Sequence, residues 1–162
     1  MTWNELQADF LKRMGEMLKM HLADLSDADL MQRPCSGSNS ANWQIGHLIV
    51  SETFFVGACG GNAPELPAGF ADRYTKETQK LDDPSQFAKK DELIKLFERV
   101  RGAMVEVART IKPDQLDQPA PERIRSFCPT AGHVLLLVTN HQCMHIGQIQ
   151  VLRRKLGKPI LF

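Results

Sequence analysis

The 162-residue chain is long enough for one domain that removes about 70% of its extended-chain surface from water. Its 20 Lys and Arg nearly cancel its 19 Asp and Glu, which leaves no electrostatic reason to expect nucleic acid or an anionic membrane as a partner. The longest apolar run, "HVLLLV", is far short of the roughly 20 residues needed to cross a bilayer.

Helical periodicity begins at Thr2, a good N-cap followed three positions later by Glu5, which is a capping-box pattern. The apolar face predicted for this helix runs Trp3, Leu6, Phe10, Met14, Met17, His21 and Leu25, with an end near Asp24 to Ser26. "SDADLM" then predicts a short capped turn before Pro34. "CSGSNS" is loop chemistry, and Ser40 caps a predicted second helix, "ANWQIGHLIVSETFFVGAC". Its stripe includes Trp43, His47, Val50, Ser51 and Phe54. "GGNAPELPAG" stops it, and the polar stretch to Pro84 reads as a crossover with a short helical piece. A third helix, from about Asp91 to Thr110, repeats apolar residues at Leu93, Leu96, Phe97, Val100, Met104, Val107 and Ile111. After the proline-punctuated "KPDQLDQPAPERIRSFCP", a last helix is capped by Thr130 and runs to about Leu156, where Gly157 and Pro159 end it. Much of this helix is apolar on every side, as expected of one surrounded by others. No strand-like alternation, internal repeat or low-complexity tail interrupts the pattern. Four long helices with two long connections predict an all-α four-helix bundle with long crossover connections, in a single domain over residues 1–162.

The last helix carries "TNHQCMHIGQIQVLRR", with His141 and His145 four positions apart. Residues so spaced lie about 40° apart around a helix and one turn along it, so the two imidazoles project side by side. They can reach one transition-metal ion at roughly 2.0–2.1 Å. Two ligands bind weakly, and the candidate third is His47, on the inward stripe of the second helix, with Trp43 and Phe54 beside it to exclude water. Three histidines with an open fourth position describe a catalytic site better than a structural one. Three neutral imidazoles leave a divalent ion its full charge, so bound water loses a proton near a pKa of about 7, and a bound thiol is held as thiolate. The ligand set alone leaves zinc, nickel, copper and iron open. A di-iron bundle needs Glu-x-x-His pairs, and the sequence has none.

The bland reading of each remaining residue is a structural one. His21 is expected in a core or capping role, and His133 is about 12 Å along the axis from His141, too far to share its ion. Cys143 is expected as a small buried hydrophobe, Glu52 on a solvated helix face, and "RRK" at 153 to 155 as a solvated helix end. Gly147 weakens the helix unless close packing requires it. Gln148, one turn beyond His145, is the candidate for a polar contact to ligand or substrate. Cys35, Cys59, Cys128 and Cys143 are scattered and read as reduced thiols. The charged N-terminal segment does not read as a signal peptide, so a soluble cytoplasmic protein is expected.

"NSANWQIGHLIVSE" and "NHQCMHIGQIQVLRRKLGKP" together resemble the two ligand segments of the DinB/YfiT-like family of four-helix-bundle metalloenzymes. The resemblance covers nearly the whole chain. It implies His47, His141 and His145 as ligands of a divalent metal, zinc or nickel being usual, and a homodimer. It further implies a thiol-dependent transferase or isomerase, using a small thiol such as bacillithiol, mycothiol or glutathione. Gln142 stands where the family often has an acidic residue. The expected function is therefore metal-assisted activation of a small thiol, or of water, for attack on an electrophilic small molecule. A metal-dependent hydrolase is the alternative within enzymes, and a non-catalytic metal-binding or stress-response bundle is the alternative outside them.

Overall fold

The structure, a computed structural model, describes residues 1–161. Helix α1 (Trp3–Leu22) starts at the predicted capping box: Thr2 Oγ1 accepts from the Glu5 amide at 3.2 Å, and Glu5 Oε2 accepts from the Thr2 amide at 2.7 Å. The buried face of α1 differs from the predicted one. Leu11, Met14, Leu18 and Leu22 are buried, whereas Trp3, Leu6 and Phe10 are 42%, 55% and 46% exposed. The helix is rotated because two amide side chains claim the inward positions of its first turns. Asn4 donates to the Ile111 carbonyl at 2.8 Å, and the buried Gln7 donates to the Leu135 carbonyl at 3.3 Å. Each satisfies a neighbour's backbone, which an apolar side chain there could not do.

Short helix α2 (Asp27–Leu30) is the predicted capped turn, with reciprocal bonds between Ser26 and Asp29. Helix α3 (Ala41–Ala58) is capped by Ser40, whose Oγ accepts from the Trp43 amide at 3.3 Å. Residues 59–89 cross over to α4 (Lys90–Thr110) through two 3₁₀ turns, Ala71–Tyr74 and Pro84–Gln86. Every apolar residue predicted for α4 is buried. Two short helices, α5 (Pro113–Leu116) and α6 (Glu122–Arg125), fill the last connection before α7 (Ala131–Lys155). Thr130 occupies the N-cap position of α7, but its hydroxyl pairs with the His133 ring rather than with a backbone amide. Gly157, with φ 67°, ends α7 as predicted, letting the Lys158 amide turn back to the Arg153 carbonyl at 2.9 Å. Among the described residues there is no strand, only an isolated bridge between Pro119 and Thr130.

Side-chain contacts fix the helix directions. Gln7, Met14 and His21 meet Leu135, Gln142 and Arg153 in that order, so α1 and α7 run parallel. Asn42 reaches Ala88 and Glu52 reaches Arg101, so α3 and α4 also run parallel. The α1–α4 and α3–α7 pairs are antiparallel, through Leu11 with Arg101 and Gln44 with His145. Parallel neighbours cannot be joined by a tight turn, which is why the crossover between α3 and α4 must travel the length of the bundle. It is pinned by Tyr74, whose hydroxyl accepts from the Ala88 amide at 3.0 Å and whose ring covers Gly46. A methyl group on Gly46 would lie 2.1 Å from that ring, so only glycine permits this approach.

Two charged residues expected in solvent are in the core. Arg153 is 1% exposed, ion-paired to Asp24, and donates to the His21 carbonyl at 2.8 Å. The Arg153 guanidinium beside Asp24 holds that carboxyl below its ordinary range. Glu52 is 3% exposed and Arg101 5%, joined Oε1 to Nε at 2.7 Å and Oε2 to a terminal nitrogen at 2.8 Å. Burial pushes the Glu52 carboxyl upward, and the Arg101 charge opposes it. Buried ionised groups persist only when paired in this manner.

Candidate metal centre

Helices α3 and α7 face each other antiparallel, and their facing stripes carry the three singled-out histidines. His47 and His141 are half-buried, and His145 is 8% exposed. The Nε2 of His141 lies 3.2 Å from the Nε2 of His47 and 3.2 Å from the Nε2 of His145. The ligand atoms of all three lie within 4.8 Å of one another. Two nitrogens bound at about 2.0–2.1 Å to a tetrahedral ion stand about 3.4 Å apart, close to the two 3.2 Å separations that His141 makes. The three rings meet edge to face rather than stacking, with interplanar angles of 88°, 64° and 73°.

The protonation states suit the same purpose. Burial lowers the pKa of His47. Burial, and then the neighbouring His47, push His141 down to about 4. Burial, with His141 and His47, pushes His145 down to about 3. All three are therefore neutral near pH 7, as metal ligands must be. Gln44 fixes which nitrogen of His145 is free. Its amide nitrogen donates to the Asn39 carbonyl at 2.9 Å, so its Oε1 must be the atom 2.9 Å from His145 Nδ1. Nδ1 then carries the proton, and the Nε2 lone pair faces the other histidines.

Trp43 is buried and stacks on His47, with ring centroids 4.9 Å apart and planes within 10°. Its indole N–H donates to the Thr75 carbonyl and to Thr78 Oγ1, both at 3.2 Å, which ties the crossover to the edge of the site. On the other side, Phe55 rather than Phe54 approaches the histidines, its ring centroid 6.3 Å from that of His141. The three histidines could hold a divalent metal.

The remaining candidates fall elsewhere. His21 is fully buried and hydrogen-bonds the Met17 carbonyl at 2.8 Å, the core role expected. His133 is exposed beside Thr130, away from the cluster. Gln148 is exposed, and no hydrogen bond joins it to the cluster among the described residues. Cys143 is exposed rather than buried, because the α7 face between Leu136 and Gly147 is uncovered. Gly147 meets nothing within 4 Å, so close packing does not explain it. Gln142 turns away from the site, donating to the Met14 carbonyl and accepting from Arg101. Sequence reasoning missed Gln44, although its place three residues before His47 put it on the same side of α3.

Among curated proteins none matches the chain. A crystal structure of the conserved protein of locus from Enterococcus faecalis is similar, with a TM-score of 0.73 at 20% sequence identity, over 98% of this chain and 99% of that one. At that identity the likeness shows the fold alone. The sequence pattern of the DinB superfamily matches residues 11–149, a span that contains α3, α4, the crossover and all three clustered histidines, and the chain belongs to that superfamily.

Proposed function

We propose that His47, His141 and His145 hold a divalent ion, zinc or nickel, and that the loaded protein is an enzyme. Its reaction is attack by a small thiol, or by water, on an electrophilic small molecule. The observation that carries this reading is the convergence of three neutral Nε2 atoms, one of them oriented by Gln44. A divalent ion bound there supplies the positive charge that brings a coordinated thiol or water to ionisation near neutral pH. The chain's own groups do the rest. Trp43 and Phe55 wall two sides of the cluster with apolar surface, which strengthens electrostatic interactions inside it. Gln44 keeps the His145 proton on Nδ1, away from the reacting side. Glu52 is committed to Arg101 and does not serve as a base, so the proton released by the ionising nucleophile passes to solvent.

The test is turnover of a panel of electrophiles by zinc- and nickel-loaded protein, with and without added thiol, beside the His141→Ala variant. Thiol-dependent turnover lost in the variant supports the transferase reading. Turnover that needs no thiol selects the hydrolase, and stoichiometric metal without any turnover selects the non-catalytic bundle.

We further propose a homodimer that covers the outer face of α1, where Trp3, Leu6, Phe10 and Met20 stand exposed. Light scattering should give twice the chain mass, and Phe10→Glu should halve it. Four free cysteines support action in a reducing compartment such as the cytoplasm. No helix among the described residues is long and apolar enough to cross a membrane.

A further inference from the structure

Beyond His47 along α3 stands one feature that the metal site leaves unused. Arg123, on α6, is exposed and lies flat over the Phe54 ring, its guanidinium carbon 3.4 Å from the ring centroid. Among the described residues neither a carboxylate nor a carbonyl takes any of its N–H groups. Phe54 follows His47 by seven residues, two turns along the same face of α3, so it stands about 10 Å from His47 along the helix. The stacking holds the guanidinium plane in place while leaving its donor edge free.

The surrounding charge points the same way. Helix α7 contains no Asp or Glu, and the single acid of α3, Glu52, is turned into the core against Arg101. Neither α3 nor α7 therefore presents a carboxylate on this face. With three neutral ligands, a bound divalent ion keeps its full charge. A loaded site would thus put a cation at each end of this face, with no carboxylate from α3 or α7 between them.

We propose that Arg123 is an anion-recognising residue: it binds a carboxylate, or a group of like charge and shape, on a substrate whose other end is held at the histidine cluster. This rests on the metal-site reading and deepens it by naming the substrate class. A guanidinium offers two parallel N–H donors to a carboxylate, and fixing a distant anion orients the reacting end. The chemistry of recognition is the same whether the carboxylate belongs to the thiol or to the electrophile.

The experiment is calorimetric titration of zinc-loaded protein with mercaptohexanoate and mercaptohexanol, which share a thiol and chain length and differ in the terminal anion. A second pair replaces the thiol by another metal-binding head: adipic monohydroxamate against hexanohydroxamate. Wild-type protein should prefer the carboxylate member of a pair by about two- to fivefold, the upper part of the range for an exposed ion pair. Arg123→Ala should abolish the preference without changing affinity for the neutral member, and Arg123→Lys should keep part of it. Arg125→Ala, which removes a side chain bonded to the Ala120 carbonyl, should leave the preference intact. No preference in wild type, or one that survives Arg123→Ala, overturns the proposal. Selectivity confined to the hydroxamates keeps Arg123 as the anion site and removes the thiol. Binding of both heads without selectivity keeps the metal site and removes the subsite. Failure of both heads to bind zinc-loaded protein overturns both.

Discussion

Replacing Gln44 by Leu tests how the site is set for a metal. Gln44 is fully buried, and its Oε1 is the acceptor 2.9 Å from His145 Nδ1. Without it the Nδ1 proton has no partner, and nothing keeps it off the Nε2 that faces His141. Loss of such an orienting contact weakens metal binding by about 10- to 100-fold, which is about 1.4–2.7 kcal/mol. Folding is affected separately, because an unpartnered buried donor costs about 1–3 kcal/mol. Gln44→Glu separates the two effects, since a carboxylate still accepts the Nδ1 proton. Zinc dissociation constants from competition with a chromophoric chelator, together with melting temperatures of the metal-free proteins, provide both readings. Gln44→Leu should bind zinc at least tenfold more weakly, and Gln44→Glu should stay near wild type or bind more tightly. Wild-type affinity in Gln44→Leu, or equal loss in both variants, would refute the assignment.

Other parts of the structure make equally definite predictions. Glu52→Gln leaves the Arg101 charge buried without compensation and should cost about 3–5 kcal/mol in urea unfolding. The double variant Glu52→Leu/Arg101→Met should recover much of that loss; an additive result would show that the pair is not coupled. Gly46→Ala drives a methyl group into the Tyr74 ring and should destabilise by about 1–3 kcal/mol or more. It should also loosen the crossover, visible as faster amide exchange at residues 71–78. In metal-free protein, burial pushes the folded His141 and His145 down to about 4 and about 3, below the ordinary histidine value of 6.5. The unfolded chain therefore binds more protons between these values, so stability contributed by the neutral rings is full above 6.5 and is lost as pH falls toward 4. Melting temperature should drop over that window more steeply in wild type than in His141→Gln/His145→Gln, and parallel curves would contradict this.

The fold was largely legible because the helices announce themselves at their ends. Thr2, Ser26 and Ser40 cap where expected, and Gly157 stops α7 with the required positive φ. The α4 stripe was read correctly because α4 has one buried face and its polar residues lie mainly on the other. The α1 face was not, because its inward positions include Asn4 and Gln7, whose partners are carbonyls more than a hundred residues away. Periodicity counts such residues as outward. The same limit hid Glu52, Arg101 and Arg153. A buried ion pair and a solvated charge look identical along one chain, and the Glu52–Arg101 partners stand 49 positions apart. The histidine cluster was accessible for a complementary reason. Spacing of four on α7 puts His141 and His145 together whatever the tertiary structure, and a third histidine on an inward stripe leaves few other places for it to go. Gln148 was chosen by the same spacing rule and stands exposed, because the turn beyond His145 has already left the α3 interface.

The most direct test of the central claim is elemental analysis of tag-free protein purified without chelators, with His145→Ala prepared in parallel. The account predicts near-stoichiometric zinc or nickel in wild type and its disappearance in the variant, with the helical fold retained. Negligible metal in both proteins, including after incubation with zinc or nickel, would contradict it.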